Sequence, residues 1–185
     1  VRLPGFIVPD GVEAAEALTK ECATGLRKLG FDTNREYVDR LRHELHVIED
    51  RGFSKYFLTM KAVADKTQEH MLAGPGRGSA AGSLVAYVLG ITQVDPIKHG
   101  LLFSRFLRAD TTDYPDIDYD VSDAFGLKEI LAEAWGETTV VPISNFNTLQ
   151  LRSLIKDISK FYGVPFTEVN PVTGKMVREA MTKAK

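Results

Sequence analysis

The stretch from Gly74 to Asp120 constrains this chain more than any other. It opens with Gly74-Pro75-Gly76-Arg77-Gly78-Ser79 and closes with Pro115-Asp116-Ile117-Asp118-Tyr119-Asp120. A glycine-rich turn running into an apolar segment lets bare backbone approach a phosphate. An acid at every second residue, alternating with Ile, Tyr and Val, reads as a strand with one polar face. Carboxylates on one such face are spaced about 6.5–7 Å apart and can hold metal ions. With basic residues between the two features, the stretch points to a phosphoryl-transfer site.

The flanking sequence reads mostly as helix. Pro4 and Pro9 keep residues 1–10 extended. Asp10 is expected to cap a helix running to Gly30. A second helix spans Asn34 to Asp50, with Tyr37, Val38, Leu41, Leu45 and Ile48 as its apolar stripe. A third runs from Ser54 to about Glu69, where Tyr56, Met60, Val63 and Ala64 recur at helical spacing. Met71-Leu72 leads, as a possible short strand, into the glycine turn. Ser79 to Leu89 is expected to be one largely buried helix stopped by Gly90. Asp95-Pro96 starts a turn or short helix, and Leu101 to Leu107 carries Arg105 among apolar neighbours. Ser122-Asp123 caps a helix to Trp135, and β-prone Thr138 to Ile143 reads as an edge strand or strand end. A further helix covers Thr148 to Tyr162. The last 35 residues hold seven Lys/Arg against three acids, a local excess of +4 in a chain of net charge -2.

Composition narrows the function classes. The 185 residues, 44% apolar and 26% charged, describe an ordinary globular chain with room for one domain or slightly more. Net charge does not advertise nucleic acid, although local basic patches suffice for it. No apolar run approaches the roughly 20 residues of a membrane span, and no signal peptide is visible. The single cysteine, Cys22, excludes an internal disulfide and fits a reducing, cytoplasmic setting. A start at Val1 and a basic, helix-like end are those expected of a fragment. His43 and His46 could face a common metal, but with no third ligand in sight they read as solvated histidines.

Each half of the central stretch has a bland alternative. The acids could stud a solvent-facing edge strand against aggregation. If they hold metal, magnesium is the natural ion, since hard oxygen ligands and substrate phosphates suit it. Gly76-x-Gly78-x-x-Ala81 is a loose dinucleotide fingerprint without a clear preceding strand, and no Gly-Lys-Ser/Thr makes it a Walker loop. What remains is Gly78-Ser79 at a helix start, where backbone N–H groups and a hydroxyl favour an anion; the alternative is a capped tight turn. Arg77 and Arg105 could neutralise phosphate or be surface charges.

In conjunction, Gly-Ser at a helix start and a downstream Asp-x-Asp resemble the nucleotidyltransferase superfamily. The match extends through Gly82-Ser83-Leu84-Val85-Ala86-Tyr87, Asp95-Pro96, Leu101-Leu102-Phe103, Arg105-Phe106-Leu107 and Pro115-Asp116-Ile117-Asp118. With the opening Leu3-Pro4-Gly5-Phe6, Gly25-Leu26 and Gly52-Phe53-Ser54-Lys55-Tyr56-Phe57-Leu58, the sequence resembles the palm of the bacterial replicative DNA polymerase III alpha family (family C). That resemblance implies an α/β (α+β) palm with a small mixed sheet backed by helices, over residues 1–147. Its helical N-terminal part covers about 10–70, and residues 148–185 begin a helical thumb. It further implies that Asp116 and Asp118 are catalytic, metal-binding aspartates. Arg77, Gly78, Ser79 and Arg105 would bind the phosphates of an incoming deoxynucleoside triphosphate (dNTP), with Mg2+ as cofactor. Asp120 matches an acidic position that is not a ligand. Primer–template DNA, a sliding clamp, a proofreading exonuclease subunit and a clamp-loader subunit are the implied partners.

The family's third catalytic aspartate lies beyond the thumb, whereas these residues end 67 positions after Asp118, so the fragment alone is expected not to polymerise. Ile143-Ser144-Asn145-Phe146-Asn147-Thr148 departs from the family's glycine-containing version and suggests a divergent, even viral, member. Two other readings stay open, a non-catalytic DNA-binding or scaffolding module and another nucleotidyltransferase of the superfamily.

Overall fold

Local signals set most of the helices. Asn34 starts one by accepting the Glu36 amide at 3.0 Å, and Asp123 starts another by accepting the Gly126 amide at 3.0 Å. A computed structural model of the chain describes residues 3–8, 10–108, 110, 113–143 and 150–183. Its α-helices among these are α1 (Ala14–Lys28), α2 (Arg35–Asp50), α3 (Ser54–His70), α4 (Leu84–Val88), α5 (Ala124–Trp135), α6 (Leu151–Phe161) and α7 (Phe166–Lys183). Short 3-10 turns occupy Gly5–Ile7, Gly78–Gly82 and Phe103–Arg105. The first helix begins later than expected: Glu13 occupies its cap position, with no side-chain cap bond, so Asp10 does not cap it. No described helix is long and apolar enough to cross a membrane.

The chain divides into two compact units, Val1–Pro142 and Ile143–Lys185. In the first, α4 is the hub. Leu84, Val85 and Ala86 are fully buried, with Leu18 and Cys22 of α1, Ile48 of α2 and Phe57 of α3 in the same core. Phe57 meets Phe106 edge to face at 6.1 Å, which ties the segment after the Phe103–Arg105 turn to α3.

The helix expected over Ser79–Leu89 is broken in two. A 3-10 turn reaches Gly82, Ser83 is extended, and α4 starts afresh with the Ser83 hydroxyl accepting the Ala86 amide. The break has a steric cause. A Cβ on Gly82 would sit 2.8 Å from the Leu102 carbonyl oxygen, so the backbone presses against the neighbouring segment and continues only by turning.

The expected mixed sheet is a correction: the described residues contain helices and no strand, so the architecture is all-α and not α/β. Residues Asp116–Asp120 do alternate, with Ile117 buried and Tyr119 half-buried while the three aspartates are exposed. But alternation records which face a side chain takes, whereas a strand also needs a lateral partner. Only the end of the run has one, a single antiparallel bridge between Ala73 and Val121. The Gly74 amide donates to Asp120 O at 2.8 Å and the Ser122 amide to Leu72 O at 2.9 Å, and the pairing stops there. The β-prone Thr138–Ile143 is likewise no strand. Its start folds back on Gly136, whose carbonyl accepts the amides of Thr139 and Val140.

The second unit is a hairpin of α6 and α7 joined through Gly163-Val164-Pro165. Lys156 reaches Asn170 at 3.1 Å and lies 5.0 Å over the Phe166 ring, while Val169 and Thr173 are buried. Of the divergent Ile143–Thr148 segment, Ser144 to Thr148 lie outside the described residues.

Candidate functional site

A pocket of about 370 Å³ opens between two walls of the first unit. One wall is the Gly78–Gly82 turn; the other is the segment Gly100–Arg105. Gly78, Ser79 and Arg105, three of the residues expected to bind phosphate, line it together. The second wall is anchored from behind by Asp95. Its carboxylate accepts the amides of Ile97 and Lys98 at 3.0 and 3.1 Å and the Tyr37 hydroxyl at 2.7 Å. Burial, and then that bond to Asp95, pushes the Tyr37 hydroxyl up to about 12. The Leu101 amide donates to Pro96 O at 2.8 Å, which sets where the wall turns toward the pocket.

The carboxylates stand at the pocket's edge. Gly78 adopts φ 62°, and a Cβ there would fall 2.8 Å from Asp118 Oδ2. Glycine is favoured at this position by its left-handed backbone, and the exposed tip of the Asp118 side chain lies against it. Arg77, expected among the phosphate residues, does not line the pocket. Its Nη1 lies 3.2 Å from Asp120 Oδ1 and its Nε 3.9 Å from Asp118 Oδ2. The bond to Asp120, and then both negative charges, hold its guanidinium still more firmly protonated. Asp116 is exposed, and its charge bears on Tyr56. Burial pushes the Tyr56 hydroxyl up, a bond from the Ile117 backbone opposes this, and Asp116 adds to the rise.

Asp116 and Asp118 thus offer hard oxygen donors to solvent beside a pocket with a free hydroxyl and backbone lining. That donor set fits an ion that keeps several waters and takes phosphate oxygens as further ligands, as Mg2+ does. Among the described residues no group of three or more His, Cys, Asp or Glu is placed to hold a metal ion together. His43 and His46 are both exposed, and His46 Nε2 sits 3.5 Å from Asp50.

Sequence reasoning missed the side chains behind the pocket. Glu44 is fully buried, and its carboxylate accepts from Arg40 Nε at 2.6 Å and from the Ser83 hydroxyl and the Leu84 and Val85 amides at 3.0 Å each. Burial pushes its carboxyl up, opposed by the bonds from Leu84, Val85 and Arg40. A signal was present: Glu44 follows Leu41 by three and Tyr37 by seven, which puts an acid on the apolar stripe of α2.

Comparison with known proteins adds the last observation. Residues 16–185 match the family model described as the bacterial DNA polymerase III alpha NTPase domain. The chain is 44% identical over 166 residues to the DNA polymerase III subunit alpha of Bacillus subtilis, covering 88% of this chain. It is 39% identical over 188 residues to that of Mycobacterium leprae (98% of this chain). It is 42% identical over 176 residues to that of Yersinia pestis (88% of this chain). It spans only 15–16% of the length of these curated relatives.

Proposed function

Because the chain belongs to the bacterial DNA polymerase III alpha family, we propose that its first unit carries the nucleotide and metal sites for DNA synthesis in a longer enzyme. The observation that supports this most is the meeting of Gly78, Ser79 and Arg105 on one pocket, with Asp118 against Gly78 at its edge. In this reading a dNTP lays its triphosphate in the pocket. The backbone at Gly78 and the Ser79 hydroxyl donate to phosphate oxygens, and Arg105 offsets their charge. Asp116 and Asp118 hold Mg2+, which when bound supplies charge neutralisation and Lewis-acid activation at the reacting phosphate. The primer 3′-hydroxyl gives its proton to solvent as its oxygen bonds to the α-phosphorus, the bond from that phosphorus to the α–β bridging oxygen breaks, and pyrophosphate leaves. In the second unit, Arg152, Lys156 and Lys160 suit the phosphates of primer–template DNA.

The test is calorimetric titration of dNTP into the chain with and without Mg2+, for wild type and Asp116→Asn/Asp118→Asn. Mg2+-dependent binding should weaken by more than roughly a hundredfold in the double variant, because even groups behind metal ligands cost ten- to a hundredfold. Binding indifferent to both metal and substitution would overturn the reading. It would favour instead a DNA-binding module without chemistry.

Arg77 supplies a second test with opposite signs. In the structure it neutralises Asp118 and Asp120; with a triphosphate present it is expected to turn to phosphate. Arg77→Ala should tighten Mg2+ binding in the absence of nucleotide by roughly two- to fivefold, the scale of an exposed ion pair. The same change should weaken dNTP binding by roughly tenfold, the scale of a lost charged hydrogen bond. Isothermal titration with MgCl2 alone and then with Mg-dNTP reads both.

A further inference from the structure

We infer that Arg40 is a positioning residue for the pocket: one guanidinium ties its two walls together from behind and sets the gap between them. Arg40 Nη2 donates to the carbonyl of Gly82 at 2.9 Å and to the carbonyl of Leu101 at 3.1 Å. Both are lining residues, one from each wall. The guanidinium is itself held by Glu44 through Nε, and Glu44 is fixed by the Ser83 hydroxyl and two amides at the start of α4. Helix α2 therefore bears on both walls through a single planar group. The walls touch directly as well, since Gly82 has no room for a Cβ beneath the Leu102 carbonyl.

The choice of arginine follows from geometry. Three acceptors in three directions, a carboxylate and two carbonyls, must be met at once. A guanidinium carries five donors in a fixed fork, whereas an ammonium is a single point on a flexible stem. Arg40 is not a catalytic residue, because it reaches lining backbone and not the pocket. It acts through Gly82 and Leu101, and thereby on the spacing of Ser79 from Arg105. The inference rests on the triphosphate reading of the pocket.

The experiment uses the full chain and two variants, Arg40→Met and Arg40→Lys, with three readouts: thermal melting, amide hydrogen exchange and Mg-dNTP affinity by calorimetry. In Arg40→Met, exchange over residues 80–86 and 100–106 should quicken on the order of tenfold beyond any change in α1 and α3. Mg-dNTP affinity should fall by between roughly ten- and a hundredfold, as expected when groups that position a substrate are misplaced. Arg40→Lys keeps the charge beside Glu44, so it should recover most of the melting temperature while leaving the affinity defect. A merely structural role predicts instead that affinity recovers along with stability. Unchanged exchange in either wall, or wild-type affinity in Arg40→Met, would overturn the inference and leave the nucleotide reading standing. If wild type itself binds no Mg-dNTP, the nucleotide reading falls, and the positioning role falls with it.

Discussion

One methyl group at position 25 is expected to cost the first unit about 3 kcal/mol or more, at or above the upper end of the overpacking range. Gly25 lies in the last turns of α1, and a Cβ there would fall 2.0 Å from Val88 O and 2.8 Å from Val88 C. Both atoms are backbone, so no rotamer change relieves the clash; α1 and the end of α4 must move apart. That separation would open the core around Leu18, Cys22 and Leu84. Helix propensity alone argues the other way, since alanine is favoured over glycine by about 1 kcal/mol inside a helix. Gly174 in α7 has nothing within 4 Å of its Cβ position. Gly174→Ala should therefore stabilise its hairpin by about 0.5–1 kcal/mol. Urea unfolding of Gly25→Ala, and amide exchange over α6 and α7 for Gly174→Ala, check the pair. A Gly25→Ala that stabilises would mean that the close approach of α1 to α4 does not exist.

The second large effect is at Glu44. Glu44→Ala should destabilise the first unit by about 3–5 kcal/mol, the cost of removing one partner of a buried ion pair. The carboxylate is the acceptor for Arg40, Ser83, Leu84 and Val85 together. Its loss leaves a half-buried guanidinium without its anionic partner, and a buried hydroxyl and two buried amides without this acceptor, each at a desolvation cost. Glu44→Gln should cost less. It keeps the shape and one acceptor oxygen, and the neutral form is the one that burial favours. Thermal and urea unfolding of both variants decide the matter. A loss below about 1 kcal/mol for Glu44→Ala, the scale of an exposed pair, would place the carboxylate in water instead.

Legibility in the sequence followed the range of the forces involved. Helices α2, α3 and α5 could be read to within a residue or two. Their apolar spacing, and for α2 and α5 the capping side chains of Asn34 and Asp123, lie within a few positions of the residues they organise. The break at Ser83 could not be read, because it depends on Leu102 and Glu44, both distant in the chain. The acid run shows the same division within one segment. Its inward and outward alternation was legible and is present, but the sheet inferred from it is not.

The membership of this chain in the DNA polymerase III alpha family was thus legible in the sequence alone, which matches the family over residues 16–185, and so were helices α2, α3 and α5, whereas the absence of a sheet among the described residues was not. The tertiary structure decided three things. Gly78, Ser79 and Arg105 share a pocket; Arg77 faces Asp118 and Asp120 and stays off that pocket's lining; and an acid on the apolar face of α2 becomes its buried support. Each depends on groups brought together from far along the chain. Local propensity carries no information about such meetings, because the energy that drives them exists only once the core has closed.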